Sequence, residues 1–212
     1  MTGAAAMRPR VLPVGRHALL VEVAGSEEAQ VFHAELLRRR AAGALPPIRE
    51  IVPAARTVLL DGVGDPHALA ARIAEWTVPP ADAAEGEPVV LPVRYDGADL
   101  AEVAALWGVA EEEVPRLHAS MSFRVAFCGF APGFGYLTGA PEHLHVPRRA
   151  TPRTAVPAGS VGLAGPYTGV YPSSSPGGWQ LIGRTDVRLW DPAREPAALL
   201  APGTRVRFEE IA

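Results

Sequence analysis

The chain has 212 residues, 48% of them hydrophobic and 20% charged, and a net charge of -3. That is the balance of a globular protein of one large or two small domains, too acidic overall for general attraction to nucleic acid. All 20 basic residues are Arg and Asn is absent, so this chain supplies no Schiff-base, P-loop or biotinylated lysine and no N-glycosylation site.

Val11 to Val14 and Ala18 to Val23 are short apolar runs around Gly15-Arg16, which predicts a hairpin. Ser26 is placed to cap a helix carrying Glu27 and Glu28 in its first turn, Phe32, Leu36 and Leu37 on one face, and Gly43 as its stop. Ile48 to Val52 and Thr57 to Leu60 predict a second strand pair, and Asp65-Pro66 opens a helix with Leu69, Ile73 and Trp76 at helical spacing. The order ββαββα describes a small α+β domain over residues 1–78. Residues 79–88, with Pro79-Pro80 and Glu85-Gly86-Glu87, read as a linker to a second domain, 89–212.

The second domain opens with a strand, Val89 to Tyr95. Asp99 and Glu102 resemble a capping box for a helix over Leu100 to Trp107, stopped by Gly108. Glu111 to Ser120 reads as helical, with Pro115 kinking it or delaying its start. Short β segments follow, Phe123 to Cys128, Ser160 to Leu163, Trp179 to Arg184, Arg188 to Trp190 and Arg205 to Phe208, alternating with Gly/Pro loops. This predicts a mostly β sandwich or barrel. Cys128, the one cysteine, falls in a strand as an inert thiol, and neither a secretory apolar region nor a membrane-length run is present, so a cytoplasmic location with no membrane partner is expected.

Function is expected between Phe123 and Trp190, which holds six Arg against two acids in an otherwise acidic chain. Phe130-Ala131-Pro132-Gly133-Phe134-Gly135-Tyr136 predicts a tight turn displaying aromatics, a rigid wall for a small planar ligand. Arg148, Arg153 and Arg184 each lie near Pro or Gly, where a stiff backbone suits a guanidinium to carboxylate or phosphate. Ser160 lacks the glycine spacing of a nucleophile elbow and is read as a hydrogen-bonding wall residue. His118, on a helix, is a candidate acid or base. His143 and His145 have no completing ligand, so no metal site is expected, and the Ser173 to Gly178 loop lacks the lysine and helix of a Walker loop.

Taken in order, the motifs from Gly129 to Leu137, Pro147-Arg148, Pro152-Arg153, Val156 to Val161, Thr168 to Pro172, Ser175 to Trp179 and Leu181 to Thr185 resemble one family. It is that of the bacterial 5-oxoprolinase B subunit, also described as allophanate hydrolase subunit 1 or kinase-inhibitor KipI-like, the carboxyltransferase subdomain C and D type. The resemblance implies a small α+β domain followed by a cyclophilin-like β-barrel. It also implies two partners, one the homologous C subunit, the other a separate A subunit. The complex they form would use ATP to open 5-oxo-L-proline, a small anionic substrate, to L-glutamate. On this reading the candidate catalytic residues are His118, Arg148, Arg153 and Arg184. Phe130, Pro132, Gly133, Phe134, Tyr136, Ser160, Tyr167, Thr168, Gly177, Gly178 and Trp179 are the candidates for binding. Tyr167 stands where the family has Gln, which bears on the substrate. Two alternatives share these residues: half of a biotin-dependent urea or allophanate carboxyltransferase, with biotin arriving on another chain, and a non-catalytic inhibitor of a histidine kinase.

Overall fold

Strand β1 (Arg10–Val14) pairs antiparallel with β2 (Ala18–Glu22), Arg10 facing Glu22 and Val14 facing Ala18, which is the hairpin the apolar runs predict. The structure, a computed structural model, describes Met7, residues 9–78 and residues 87–212, so residues 79–86 of the expected linker lie outside the described residues. The chain divides into two compact units, Met1–Ala84 and Glu85–Ala212.

In the first unit, β3 (Glu50–Pro53) and β4 (Thr57–Asp61) complete an antiparallel sheet of order β1-β2-β4-β3. Helices α1 (Ser26–Ala41) and α2 (Pro66–Ala74) pack on it. Alternation along the strands turns Leu19, Val21, Val58 and Leu60 toward Phe32, Leu36, Leu69 and Ile73 in one core. Asp65 caps α2 by accepting the Ala68 N–H at 3.0 Å. Ser26 does not cap α1: Gly25 takes that place, and Glu28 reaches back to the Ala24 N–H at 3.0 Å instead.

The second unit contains β5 (Val89–Val93), α3 (Leu100–Trp107), α4 (Glu113–Ser120), β6 (Phe123–Cys128), β7 (Gly135–Thr138), β8 (Arg153–Val156), β9 (Ser160–Ala164), β10 (Tyr167–Val170), β11 (Ser175–Gly177), β12 (Gln180–Arg184) and β13 (Arg205–Glu210). Seven strands form one sheet of order β12-β9-β10-β7-β6-β13-β5. Arg94, just past β5, bridges to Arg184 at the end of β12, so the two edges meet and the sheet closes as a barrel. Gly183 lets the seam close, because a Cβ there would lie 2.5 Å from the Arg94 carbonyl oxygen. This is the expected fold class, an α+β unit followed by a mostly β barrel. Pro115 falls in the first turn of α4, where its missing N–H costs nothing, and delays the helix to Glu113. The strand expected over Arg188 to Trp190 does not form; only Trp190 bridges, to Ala198.

Val93, Val125, Leu137, Val161, Ile182, Val206 and Phe208 fill the barrel, and α4 adds Val114 and His118 to that core. Neighbours in sequence point the other way. Tyr136, Ala164, Tyr167 and Leu181 join Phe134, Tyr171 and Trp179 in a second apolar cluster. These strands are buried on both faces, and the second cluster is where the site is built.

Candidate functional site

The turn after β6 shapes one wall. The Phe134 N–H donates to the Ala131 carbonyl at 3.0 Å across Pro132 and Gly133, and Gly133 has φ +84°. Proline then a left-handed glycine is the signature of a type II turn. Phe130 also has positive φ, 67°, and the Ala131 N–H donates across it to the Gly129 carbonyl at 2.7 Å. A bulky residue held this way is strained, and here the strained residue displays its ring, 61% exposed, at the rim of a cavity.

That cavity has a volume of about 500 Å³. Phe134 forms its floor, edge-on to Phe130 at 5.3 Å, to Tyr171 at 5.4 Å and to Trp179 at 5.4 Å. Tyr136 and Tyr167 form a further side, their rings 5.6 Å apart, with Phe127 stacked behind Tyr136 at 4.4 Å. Edge-to-face contacts of this kind lock the rings against one another. Pro166 and Pro176 close the rim, and Arg148 is the cation in the wall.

Burial raises the Tyr136 and Tyr171 phenols above their ordinary value, an effect the Arg148 charge opposes. Both stay protonated at neutral pH and can donate hydrogen bonds. Arg148 itself makes no ion pair among the described residues, and the described residues lining the cavity include no Ser, Cys, His or carboxylate. Such an arrangement offers a small planar anion one guanidinium and phenol donors set among apolar walls.

The other expected arginines are elsewhere. Arg153 donates to Asp99 at 2.7 Å beside Arg149, which donates to the same oxygen at 2.6 Å. Arg184 donates to Asp96 at 2.9 Å at the barrel seam. His118 is also away from the cavity. Its Nδ1 meets the Tyr95 hydroxyl at 2.8 Å and its Nε2 the Thr168 hydroxyl at 3.0 Å, all within the barrel core. Desolvation pushes it down to about 3, so it is a neutral hydrogen-bonding strut rather than an acid or base at neutral pH.

Of the expected binding residues, Phe130, Phe134, Tyr136, Tyr167, Gly177 and Trp179 line the cavity with Arg148. Pro132 and Gly133 shape the turn beneath, Gly133 against Leu189 and Trp190. Ser160 and Thr168 are buried in the barrel. Gly178 packs behind the wall, its carbonyl accepting the Arg149 N–H at 2.8 Å. Sequence reading missed Tyr171, although it lies in a quoted motif, and took Asp99 for a helix cap. Asp99 makes no side-chain cap bond and serves the arginines and the Leu181 N–H, at 2.7 Å, instead.

Cys128 is half-buried, its thiol near the Leu200 carbonyl at 3.5 Å and raised by burial. Among the described residues no His/Cys/Asp/Glu group could hold a metal ion, and no helix is long and apolar enough to cross a membrane.

A closed barrel with an aromatic cavity on its strands, accompanied by an α+β unit, is the carboxyltransferase type of architecture. The chain belongs to the carboxyltransferase domain family, subdomain C and D, whose pattern matches residues 9–200. Within that family it is 47% identical over 172 residues to the 5-oxoprolinase B subunit of Escherichia coli O157:H7, covering 77% of this chain and 78% of that one. Among solved structures it is similar to TTHA0988, at 38% identity and a TM-score of 0.75, over 97% of this chain and 41% of that one. The fold is shared with the urea carboxylase of Kluyveromyces lactis, at 20% identity and a TM-score of 0.71, over 96% of this chain and 22% of that one. This chain thus spans less than half the length of each of those two solved chains.

Proposed function

We propose that the chain acts as the B subunit of an ATP-dependent 5-oxoprolinase, opening 5-oxo-L-proline to L-glutamate with the A and C subunits, and that it is inactive alone. The observation that carries the reading is the cavity: aromatic walls, a guanidinium without an ion pair, and no Ser, Cys, His or carboxylate among its described lining residues. The 47% identity to a protein of that name supports it.

5-Oxoproline is a five-membered lactam bearing one carboxylate, and it matches the cavity's size and charge. Arg148 binds the carboxylate, the ring rests against the aromatic wall to which Phe134 and Trp179 contribute, and the Tyr136 or Tyr171 hydroxyl donates to an oxygen of the bound molecule. A lactam is a stable amide, and ATP supplies the activation: its γ-phosphoryl group passes to the carbonyl oxygen as ADP leaves, water adds to the activated carbon, the C–N bond opens, and a second water releases phosphate. No Lys and no phosphate loop exist in this chain, and on this reading a partner subunit holds part of the ATP site. This chain orients the substrate and keeps bulk water away from it.

The test is reconstitution. The purified chain is mixed with the A and C subunits, ATP and 5-oxoproline, and glutamate is measured. Turnover must require this chain; an equal rate without it refutes the reading. Urea-dependent carboxylation with a biotinylated partner, or binding to a histidine kinase with no turnover, would establish one of the alternatives instead.

A further inference from the structure

Behind the cavity wall lies a buried charge cluster that the proposed reaction does not use. Asp99, 3% exposed, precedes α3. One of its oxygens accepts from Arg149 at 2.6 Å and Arg153 at 2.7 Å, and the other accepts the Leu181 N–H at 2.7 Å. Glu102, one helical turn on, sits 3.7 Å from Arg149 and accepts from Gln180 at 3.0 Å. The cluster ties the start of α3 to β12 and to the segment that carries Arg148.

It also touches the cavity electrically. Arg153 acts on the Tyr171 phenol, as Arg148 does from the cavity side. The Arg149 N–H is bonded to Gly178, between the lining residues Gly177 and Trp179. Arg148, Arg149 and Arg153 are three positive charges against two carboxylates, Asp99 and Glu102, which leaves one. The cation without an ion pair is Arg148. Arg153 Nη1 and Arg149 Nε are buried with no hydrogen-bond partner among the described residues, and Asp99, with Glu102 beside Arg149, balances the charge inside the wall.

We infer that Asp99 is a positioning and specificity residue: together with Glu102 it neutralises Arg149 and Arg153, so that the cavity presents the single charge of Arg148 and selects monoanions over dianions. The inference builds on the assignment of the cavity as an anion site, but it does not depend on which reaction the complex performs. Removing the Asp99 charge without changing its shape adds one positive charge behind the wall. A dianion gains about twice as much from that charge as a monoanion.

The experiment is calorimetric titration of the full chain with two probes at fixed ionic strength, 5-oxoproline as monoanion and glutarate as dianion. Wild type should favour 5-oxoproline. Asp99→Asn should shift the affinity ratio toward glutarate by roughly tenfold, the size expected of one charge at short range in a partly screened site. Arg153→Gln removes a charge instead of releasing one, and should shift the ratio the opposite way. That second variant decides the matter if Asp99→Asn fails to fold. A ratio unchanged in a folded variant overturns the inference, as does a wild-type chain that binds neither anion. A shifted ratio in a chain whose complex turns over no 5-oxoproline would uphold the inference while sinking the oxoprolinase reading.

Discussion

Arg94 and Arg184 exchange both backbone hydrogen bonds, at 2.9 and 2.8 Å, and each side chain pairs with the acid two residues beyond the other, Asp186 and Asp96. This reciprocal clip is where the first and last strands of the barrel sheet meet. It explains why Arg184, which the sequence placed with the ligand-binding arginines, has a different task.

The seam predicts a contrast. Gly183→Ala puts a methyl group against the Arg94 carbonyl and should destabilise the fold by about 2 kcal/mol or more. Arg184→Ala breaks only an exposed ion pair and should lower the thermal midpoint slightly while leaving turnover of the reconstituted complex unchanged. Thermal unfolding and a glutamate assay on both variants check this; a large activity loss in Arg184→Ala would return that residue to the site.

Phe130 separates stability from function. Phe130→Gly relieves roughly 1–2 kcal/mol of left-handed strain and adds about 0.5–1 kcal/mol of backbone entropy cost, while little buried surface is lost because the ring is exposed. The thermal midpoint should hold or rise. Affinity for 5-oxoproline should fall about five- to tenfold with the missing aromatic contact. Unchanged affinity would mean that the strained ring serves something other than this cavity.

His118 makes stability depend on pH with a definite sign. Folded, it is held neutral down to about 3; unfolded, it titrates near its ordinary 6.5. Its contribution is fully present above pH 6.5 and is lost as pH falls toward 3, by at most about 1.4 kcal/mol per pH unit. His33 in the first unit is also lowered by burial and slopes the same way, and Asp99, held below its ordinary value, enters only in more acidic solution. Urea unfolding between pH 7 and 5 should therefore show a shallower slope in His118→Gln than in wild type. Parallel curves would contradict the buried neutral assignment.

The first unit was legible because its signals are local. The hairpin around Gly15, the acidic first turn of α1 and the Asp65 cap are each set within a few residues. The second unit was legible in class but not in detail. Strands β7, β8, β10 and β11 have four residues or fewer, include Gly or Pro in three of the four, and form through distant partners such as Thr168 opposite Leu137. Arg188 to Trp190 has strand-like composition but finds only one bridge. The aromatic wall could be read from its own turn chemistry. The arginines could not be told apart, because what distinguishes them is an acid 54 residues from Arg153 and another 88 residues from Arg184. Asp99 carries a helix-capping pattern, and only the fold shows that burial beside two guanidiniums outranks the cap.

The central claim is that Arg148 in the aromatic cavity holds the carboxylate of 5-oxoproline for a complex whose other subunits supply the reacting groups. The most direct measurement is kcat/KM of the reconstituted complex containing Arg148→Gln, with circular dichroism confirming the fold. Loss of one charge-assisted hydrogen bond to the substrate predicts a drop of about 10- to 100-fold. A folded Arg148→Gln chain that supports wild-type kcat/KM would contradict the account.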